Sequence, residues 1–204
     1  MVFRDRKEAA EKLSVRLLKY ANSHAIVLAV PRGGVPVGFI LSRNLKLPLD
    51  IIMAKKIGHP ENKEYAIGSV TIEEVFVDDN TSIPAEYYRS ETIRLRKELK
   101  EKYLFLKGGK QPEVLEGKTV IVTDDGIATG HTLLACIHSI KKKKPAKIVV
   151  AVPVAPVETA RTFQNEADEF ICLYEASDFS GVGQFYADFS QVTDEEVRRI
   201  LSEN

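Results

Sequence analysis

Residues able to do chemistry are concentrated in one stretch: Val120-Ile121-Val122-Thr123-Asp124-Asp125-Gly126-Ile127-Ala128-Thr129-Gly130-His131-Thr132. An apolar β-run ends here in two adjacent carboxylates. A short loop with two glycines and two threonines follows, and then an apolar helical pattern, Leu133-Leu134-Ala135-Cys136-Ile137. Glycines let backbone N–H groups approach a phosphate, and a helix N-terminus adds partial positive charge. Two carboxylates would repel that phosphate. They suit sugar hydroxyls, or a Mg²⁺ that the ligand brings with it. A strand, an acidic pair, a small-residue loop and a helix start together describe a site for a phosphorylated sugar.

A second loop lies upstream. The apolar run Ala25-Ile26-Val27-Leu28-Ala29-Val30 reads as a buried parallel strand. It ends at Pro31-Arg32-Gly33-Gly34-Val35-Pro36, with a helix beginning near Val35. The glycines permit a tight strand-to-helix turn with exposed N–H groups, and Arg32 brings a fork of donors suited to phosphate oxygens.

The thirteen residues Val120–Thr132 resemble the phosphoribosyl-pyrophosphate (PRPP) motif of the type I phosphoribosyltransferases. In that family four apolar residues, two acids, a small loop and Thr-Gly-x-Thr follow in this order. The resemblance implies that Asp124 and Asp125 hold the ribose 2′- and 3′-hydroxyls. It implies that Gly126, Ile127, Ala128, Thr129, Gly130, His131 and Thr132 wrap the 5′-phosphate. Arg32-Gly33-Gly34, one βα unit upstream, resembles the family's pyrophosphate loop. Mg²⁺ is the implied cofactor, met by Asp124 and Asp125 through ribose hydroxyls or water.

The implied reaction displaces pyrophosphate from C1 of PRPP by a nitrogen nucleophile of a nucleobase-like acceptor. Asp124, Asp125, Arg32 and Lys56 are the expected catalytic residues. Two departures bear on the acceptor. Hypoxanthine-guanine enzymes carry an aspartate where this chain has Ala128, which weakens a 6-oxopurine assignment. His131 stands where glycine or lysine is more usual. A PRPP- or nucleotide-sensing regulatory protein, or a hydrolase, would use the same site.

Other elements must position these loops. Asp5-Arg6-Lys7-Glu8 reads as a capping box opening a helix whose stripe is Leu13, Leu17 and Ala21. Pro48–Ala54 reads as the second strand, ending in Lys55-Lys56. Lysines at a strand's carboxyl end sit where open α/β sheets bind ligands. Lys55 and Lys56 either neutralise pyrophosphate or form a solvated pair. Gly58–Tyr65 reads as an exposed loop where the family carries a mobile flap, with His59, Glu61 and Glu64 as flap contacts or as ordinary polar loop residues. Short strands are expected at Ala66–Thr71 and Val75–Val77. A charged helix with an apolar stripe at Tyr88, Leu95, Leu99, Tyr103 and Leu106 follows over 84–107, stopped by Gly108-Gly109. Further strands are expected at Ala146–Val152, ending at Pro153, and at Glu169–Tyr174, with a helix between them at Val157–Glu166.

The alternation of buried strands and helices argues for one α/β domain over 1–204, doubly wound, with a mainly parallel central sheet flanked by helices. Residues 57–110 form a flap plus helical insertion, and 175–192 a small hood. The hood region holds Phe179, Phe185, Tyr186 and Asp188, which serve either base recognition or core packing. Thr193-Asp194-Glu195-Glu196 caps a last helix.

Lys+Arg and Asp+Glu are both 29, so the net charge is zero and a nucleic-acid partner is not expected. Lys141–Lys144 reads as a helix C-terminus, where lysines complement the dipole. No apolar run reaches membrane-spanning length. Cys136 and Cys172 lie in apolar patterns as buried reduced thiols. A cytoplasmic location and a homodimer are the corresponding expectations.

Overall fold

The apolar runs pair into a five-stranded parallel sheet in the computed structural model, which describes residues 2–63, 65–77 and 83–203. Strands β1 (Ala25–Ala29), β2 (Leu49–Ile51), β6 (Thr119–Thr123), β7 (Lys147–Pro156) and β8 (Glu169–Ala176) run in the order β2-β1-β6-β7-β8. Between β2 and β6 the chain leaves this sheet. It forms a three-stranded antiparallel sheet of β3 (Ala54–Gly58), β4 (Ala66–Thr71) and β5 (Val75–Val77), followed by the long helix α3 (Ala85–Lys107).

Each central strand alternates its side chains between two cores. Val27, Ala29, Ile121, Val149 and Ala151 face α1 (Arg6–Arg16) and α2 (Gly34–Leu45). Ile26, Leu28, Val120, Val122 and Val150 face α4 (His131–Lys142) and α5 (Val157–Glu166), against Cys136, Ile137 and Phe163. The sheet is therefore doubly wound. Burial of each such side chain contributes roughly 1.5–3 kcal/mol, enough to hold the loops at the strand ends in place.

Several boundaries differ from the sequence expectation. The second strand is only Leu49–Ile51; the chain turns away before Ala54 and starts the antiparallel sheet. Lys55 and Lys56 therefore sit inside β3, not at the end of a core strand. Strand β7 continues through Pro153 to Pro156, and the proline is the position skipped in the β7–β8 register, because it has no N–H to give. At α1, Asp5 caps Glu8 N at 2.8 Å, but the Glu8 carboxylate accepts from Arg4 N rather than from Asp5. The full reciprocal capping box is at α6 (Asp194–Ser202), between Thr193 and Glu196.

The stripe of α3 buries Leu95, Leu99, Tyr103 and Leu106 as expected, with Tyr88 packed at its margin. Its last turn is anchored by a buried ion pair. Lys107 Nζ lies 2.7 Å from Asp50 Oδ1 on β2, and both side chains are under 10% exposed (8% and 3%). Asp50 also accepts from Tyr103 OH, Ile51 N and Glu113 N, so each carboxylate oxygen is satisfied. The lysine run is tied down as well: Lys141 pairs with Glu166, Lys142 with Glu74 and Lys143 with Glu73.

At the sheet's other edge Glu169 accepts from Lys19, Tyr20 and Lys147 at 2.6–2.7 Å. Burial pushes its carboxyl up, but these three donors pull it down further, from 4.5 to about 2. A depressed carboxyl stabilises the fold above its unfolded value and loses that contribution as pH falls through its folded value. Glu169→Gln should therefore lower stability by ~2 kcal/mol at neutral pH. The difference from the parent should vanish as pH falls from 4.5 to about 2. Urea midpoints measured across that range check it, and a pH-independent difference would refute the assignment.

Candidate functional site

Sheet order reverses between β1 and β6: the chain runs outward from β1 to β2, then returns to lay β6 on the other side. In open α/β sheets this switch point opens a crevice at the carboxyl ends of the strands. Both predicted loops emerge there. Val30 N donates to Thr123 O at 2.9 Å, locking the end of β1 to the end of β6.

The two loops interlock closely. A Cβ on Gly33 would lie 2.0 Å from Asp125 Oδ2, and one on Gly34 would lie 2.8 Å from Asp124 Cα. Only glycine admits this approach. The Arg-Gly-Gly loop thus forms one wall of the acidic pair's own pocket. The Pro31–Arg32 peptide bond is cis.

Asp124 and Asp125 play unequal parts. Asp124 Oδ1 accepts from Asp125 N at 2.8 Å. The Asp125 side chain accepts from Arg6 Nε at 2.8 Å, with both side chains 12% exposed. Its backbone carbonyl accepts from Tyr186 OH at 2.6 Å. Burial and the neighbouring Asp125 charge push the Asp124 carboxyl well above the usual carboxylate range. Burial pushes Asp125 up too, while Arg6 pulls it back down. Raised carboxyls favour the fold when protonated and lose that contribution as pH rises, so the pair is a local cost at neutral pH.

After the acids, Ile127 N bonds Val154 O at 2.9 Å and Ala128 O accepts from Thr159 Oγ1 at 2.9 Å. The loop is therefore held by β7 and α5 from outside. Gly130 takes φ +79°, which a side chain rarely adopts, and starts α4 with no side-chain cap. Helix-start N–H groups are left for a ligand. His131 and Thr132 are exposed at this start.

Strand β3 sends Lys55 and Lys56 to opposite faces. Lys55 lines a cleft of about 580 Å³ with Arg32, Lys102, Phe105 and Thr132, and its Nζ is 2.5 Å from Glu98. Lys56 lines a second cleft of about 560 Å³ with Thr129, His131 and Thr132. Strand β3 thus brings one lysine to the Arg32 side and one to the side of Thr129, His131 and Thr132. His59 and Glu61 lie in the β3–β4 turn, where Glu61 N donates to His59 Nδ1 at 3.1 Å. Glu64 lies outside the described residues.

In the hood region, Phe185 and Tyr186 are buried at 5% and 4%, packed with Phe3 and Val154. Phe179 is half-buried against Phe185, their ring centroids 5.4 Å apart. Asp188 turns away, accepting from Ser190 N at 3.0 Å. Phe189, stacked on Tyr186 at 5.1 Å, lines a cleft with Asp125. The Arg6 guanidinium lies 4.0 Å from the centre of that ring. Arg6, Arg32, Gly33, Asp125 and Phe189 share a cleft of about 340 Å³. Sequence reasoning missed Arg6 and Phe189. Arg6 is 119 residues from its carboxylate and reads locally as the first residue of a helix.

The sequence model described as a phosphoribosyl transferase domain matches residues 3–190. The chain belongs to the phosphoribosyl transferase family. Relatives in two Mycobacterium tuberculosis strains, provisionally named phosphoribosyl transferases, are 34% identical over 98% of this chain. The match takes in 46% of their length, so the chain spans about half of these curated relatives. The crystal structure of the protein TT1426 from Thermus thermophilus superposes with a TM-score of 0.89 at 34% identity, covering 100% of this chain and 99% of that one. A purine phosphoribosyltransferase from Pyrococcus horikoshii shares the fold at a TM-score of 0.50 and 20% identity, over 82% of this chain and 80% of that one.

The family is one of transferases. Among the described residues no group of three or more His, Cys, Asp or Glu side chains could hold a metal ion. No helix among them is long and apolar enough to cross a membrane.

Proposed function

We propose that this protein binds PRPP and transfers its phosphoribosyl group to a nucleobase-like nitrogen acceptor. The observation that supports this is the interlock of Gly33 and Gly34 with Asp125 and Asp124, which brings the Arg-Gly-Gly loop against the acidic pair. Asp124 and Asp125 take the ribose hydroxyls. The loop from Gly126 to Thr132 takes the 5′-phosphate on the uncapped start of α4, with the Thr129 and Thr132 hydroxyls. Arg32, the Gly33 amide, and Lys55 or Lys56 from the flap stabilise the leaving pyrophosphate; the Gly34 amide is already bonded to Val30 O at 3.0 Å.

Mg²⁺ fits this donor set in one way. Two carboxylates, one already tied to Arg6, do not make a protein cage. They suit an ion that keeps water and substrate oxygens, which is how Mg²⁺ binds phosphates. Bound there, it would neutralise charge on the pyrophosphate.

The residues themselves act by positioning and electrostatics. Fixed carboxylates beside the ribose favour the positive charge that develops at C1 as the pyrophosphate bond weakens. The remote 5′-phosphate contacts hold the sugar while this occurs. Closure of β3–β5 over the site would exclude water, which would otherwise capture the activated sugar. The acceptor enters the cleft beside Phe189 and Arg6.

Isothermal titration with PRPP and Mg²⁺ tests the reading. The parent protein should bind, and Asp124→Asn with Asp125→Asn should abolish detectable binding. Thermal melts should show the double variant still folded at the temperature of the titration; this separates lost binding from lost folding. Absence of PRPP binding in the parent would sink the proposal. Pyrophosphate release on screening nucleobases would then name the acceptor.

A further inference from the structure

Resting on that reading, we infer that Arg6 is a positioning residue that sets the orientation of Asp125 and couples the ribose site to the acceptor side of the cleft. One guanidinium makes three contacts. Its Nε donates to Asp125 Oδ2 at 2.8 Å. Its Nη1 donates to the Ser190 carbonyl at 2.8 Å. It lies over the Phe189 ring, 4.0 Å from the centroid.

The contacts tie Arg6 to two other elements. Asp125 stands at the end of β6, Ser190 and Phe189 belong to the tail loop, and Arg6 is the first residue of α1. The planar fork suits this arrangement, since it can donate in two directions while stacking on a ring. A lysine offers one point charge and no plane. The three contacts hold the guanidinium at 12% exposure, so its direction is fixed by the surroundings.

The consequence for Asp125 follows from its two oxygens. Oδ2 is engaged by Arg6 and lies against Gly33. Oδ1 is thereby directed for a ligand hydroxyl. The cation also offsets the repulsion that Asp124 exerts on Asp125. Without Arg6 the carboxylate is free to rotate, and the ordering of its hydrogen bonds to a ribose is lost. The tail loop is also held by the segment just before α1, with Ala187 N bonded to Phe3 O and Asp188 N to Arg4 O. Engagement of Asp125 by a ribose therefore bears on Phe189 through one side chain.

The test separates ligand halves. PRPP, ribose 5-phosphate and inorganic pyrophosphate are each titrated with Mg²⁺ into the parent protein, Arg6→Ala and Arg6→Lys. Arg6→Ala should weaken both ribose ligands about tenfold and leave pyrophosphate unchanged. Arg6→Lys should recover part of the ribose affinity, because the charge stays near Asp125. In an Asp125→Asn background, Arg6→Ala should cause no further loss, the non-additivity expected of two residues acting as one unit. In hydrogen exchange, PRPP should protect the amides of 188–192 in the parent protein and not in Arg6→Ala.

Each other outcome counts against a stated claim. A parent protein that binds neither ribose ligand overturns the PRPP reading and this inference with it. If the parent binds them and Arg6→Ala binds them equally well or more tightly, Arg6 does not position Asp125. An equal loss for pyrophosphate, or additive losses in the cycle, makes its role general packing. Tail protection that survives Arg6→Ala removes the coupling.

Discussion

Gly33→Ala should lower PRPP affinity by about 100-fold or more while leaving the protein folded. Gly33 sits at φ −58° and ψ −32°, a conformation alanine adopts freely, so the backbone is not strained by the change. The added methyl would meet Asp125 Oδ2 at 2.0 Å, and that side chain must move. Displacing a group that orients substrate by about 1 Å typically costs on the order of 100-fold. Gly34→Ala makes the contrast. Its methyl would meet the backbone at Asp124 Cα (2.8 Å) and Thr123 O (2.9 Å), which cannot swing aside. That variant should lose stability, by roughly 1–3 kcal/mol, as well as binding. Calorimetric titration and thermal melts of both variants decide the matter. PRPP affinity in Gly33→Ala equal to the parent's would show that the two loops do not share a ligand.

Lys107→Met should destabilise the fold by about 3–5 kcal/mol, the usual result of leaving a buried charge without its partner. Asp50 would keep its hydrogen bonds from Tyr103, Ile51 and Glu113 but lose the cation that pairs with it. Lys107→Met with Asp50→Asn should recover much of that loss, because no unpaired charge is left. The pair joins the end of α3 to β2, so its loss should loosen the C-terminal end of α3. Denaturant midpoints of the parent, single and double variants test this. A single variant within about 1 kcal/mol of the parent would show that water reaches Asp50 and that the pair does not anchor α3.

The parts of the site built from contiguous residues were legible in the sequence. Val120–Thr132 holds strand, acids, loop and helix start in a single run, because a phosphate loop uses backbone N–H groups that must follow one another. The runs at 25–30 and 119–123 are apolar throughout, as a strand covered on both faces requires, and their alternation with helices implied the doubly wound sheet. The stripe of α3 was legible because helical spacing repeats locally.

Local pattern could not assign the roles of Lys55 and Lys56. Their neighbours Ile51 to Met53 are apolar like the strand before them, and only the pairing of Ala54 with Thr71 puts the lysines in a second sheet. In that sheet successive side chains face opposite clefts, so the two lysines part company. Likewise, nothing in Phe179, Phe185 or Tyr186 distinguishes a ring packed in a core from one offered to a ligand. Burial against Phe3, at the far end of the chain, decides that, and Phe189 is the ring that lines the cleft with Asp125.

The sequence by itself determined the strand, acid pair, loop and helix start at 120–132 and the order of strands and helices, since each depends on residues adjacent along the chain. Tertiary structure alone decided that Gly33 abuts Asp125 and that Arg6 holds it from 119 residues away. Those contacts cross between elements, and their geometry comes from how β1, β6, α1 and the tail pack around one crevice.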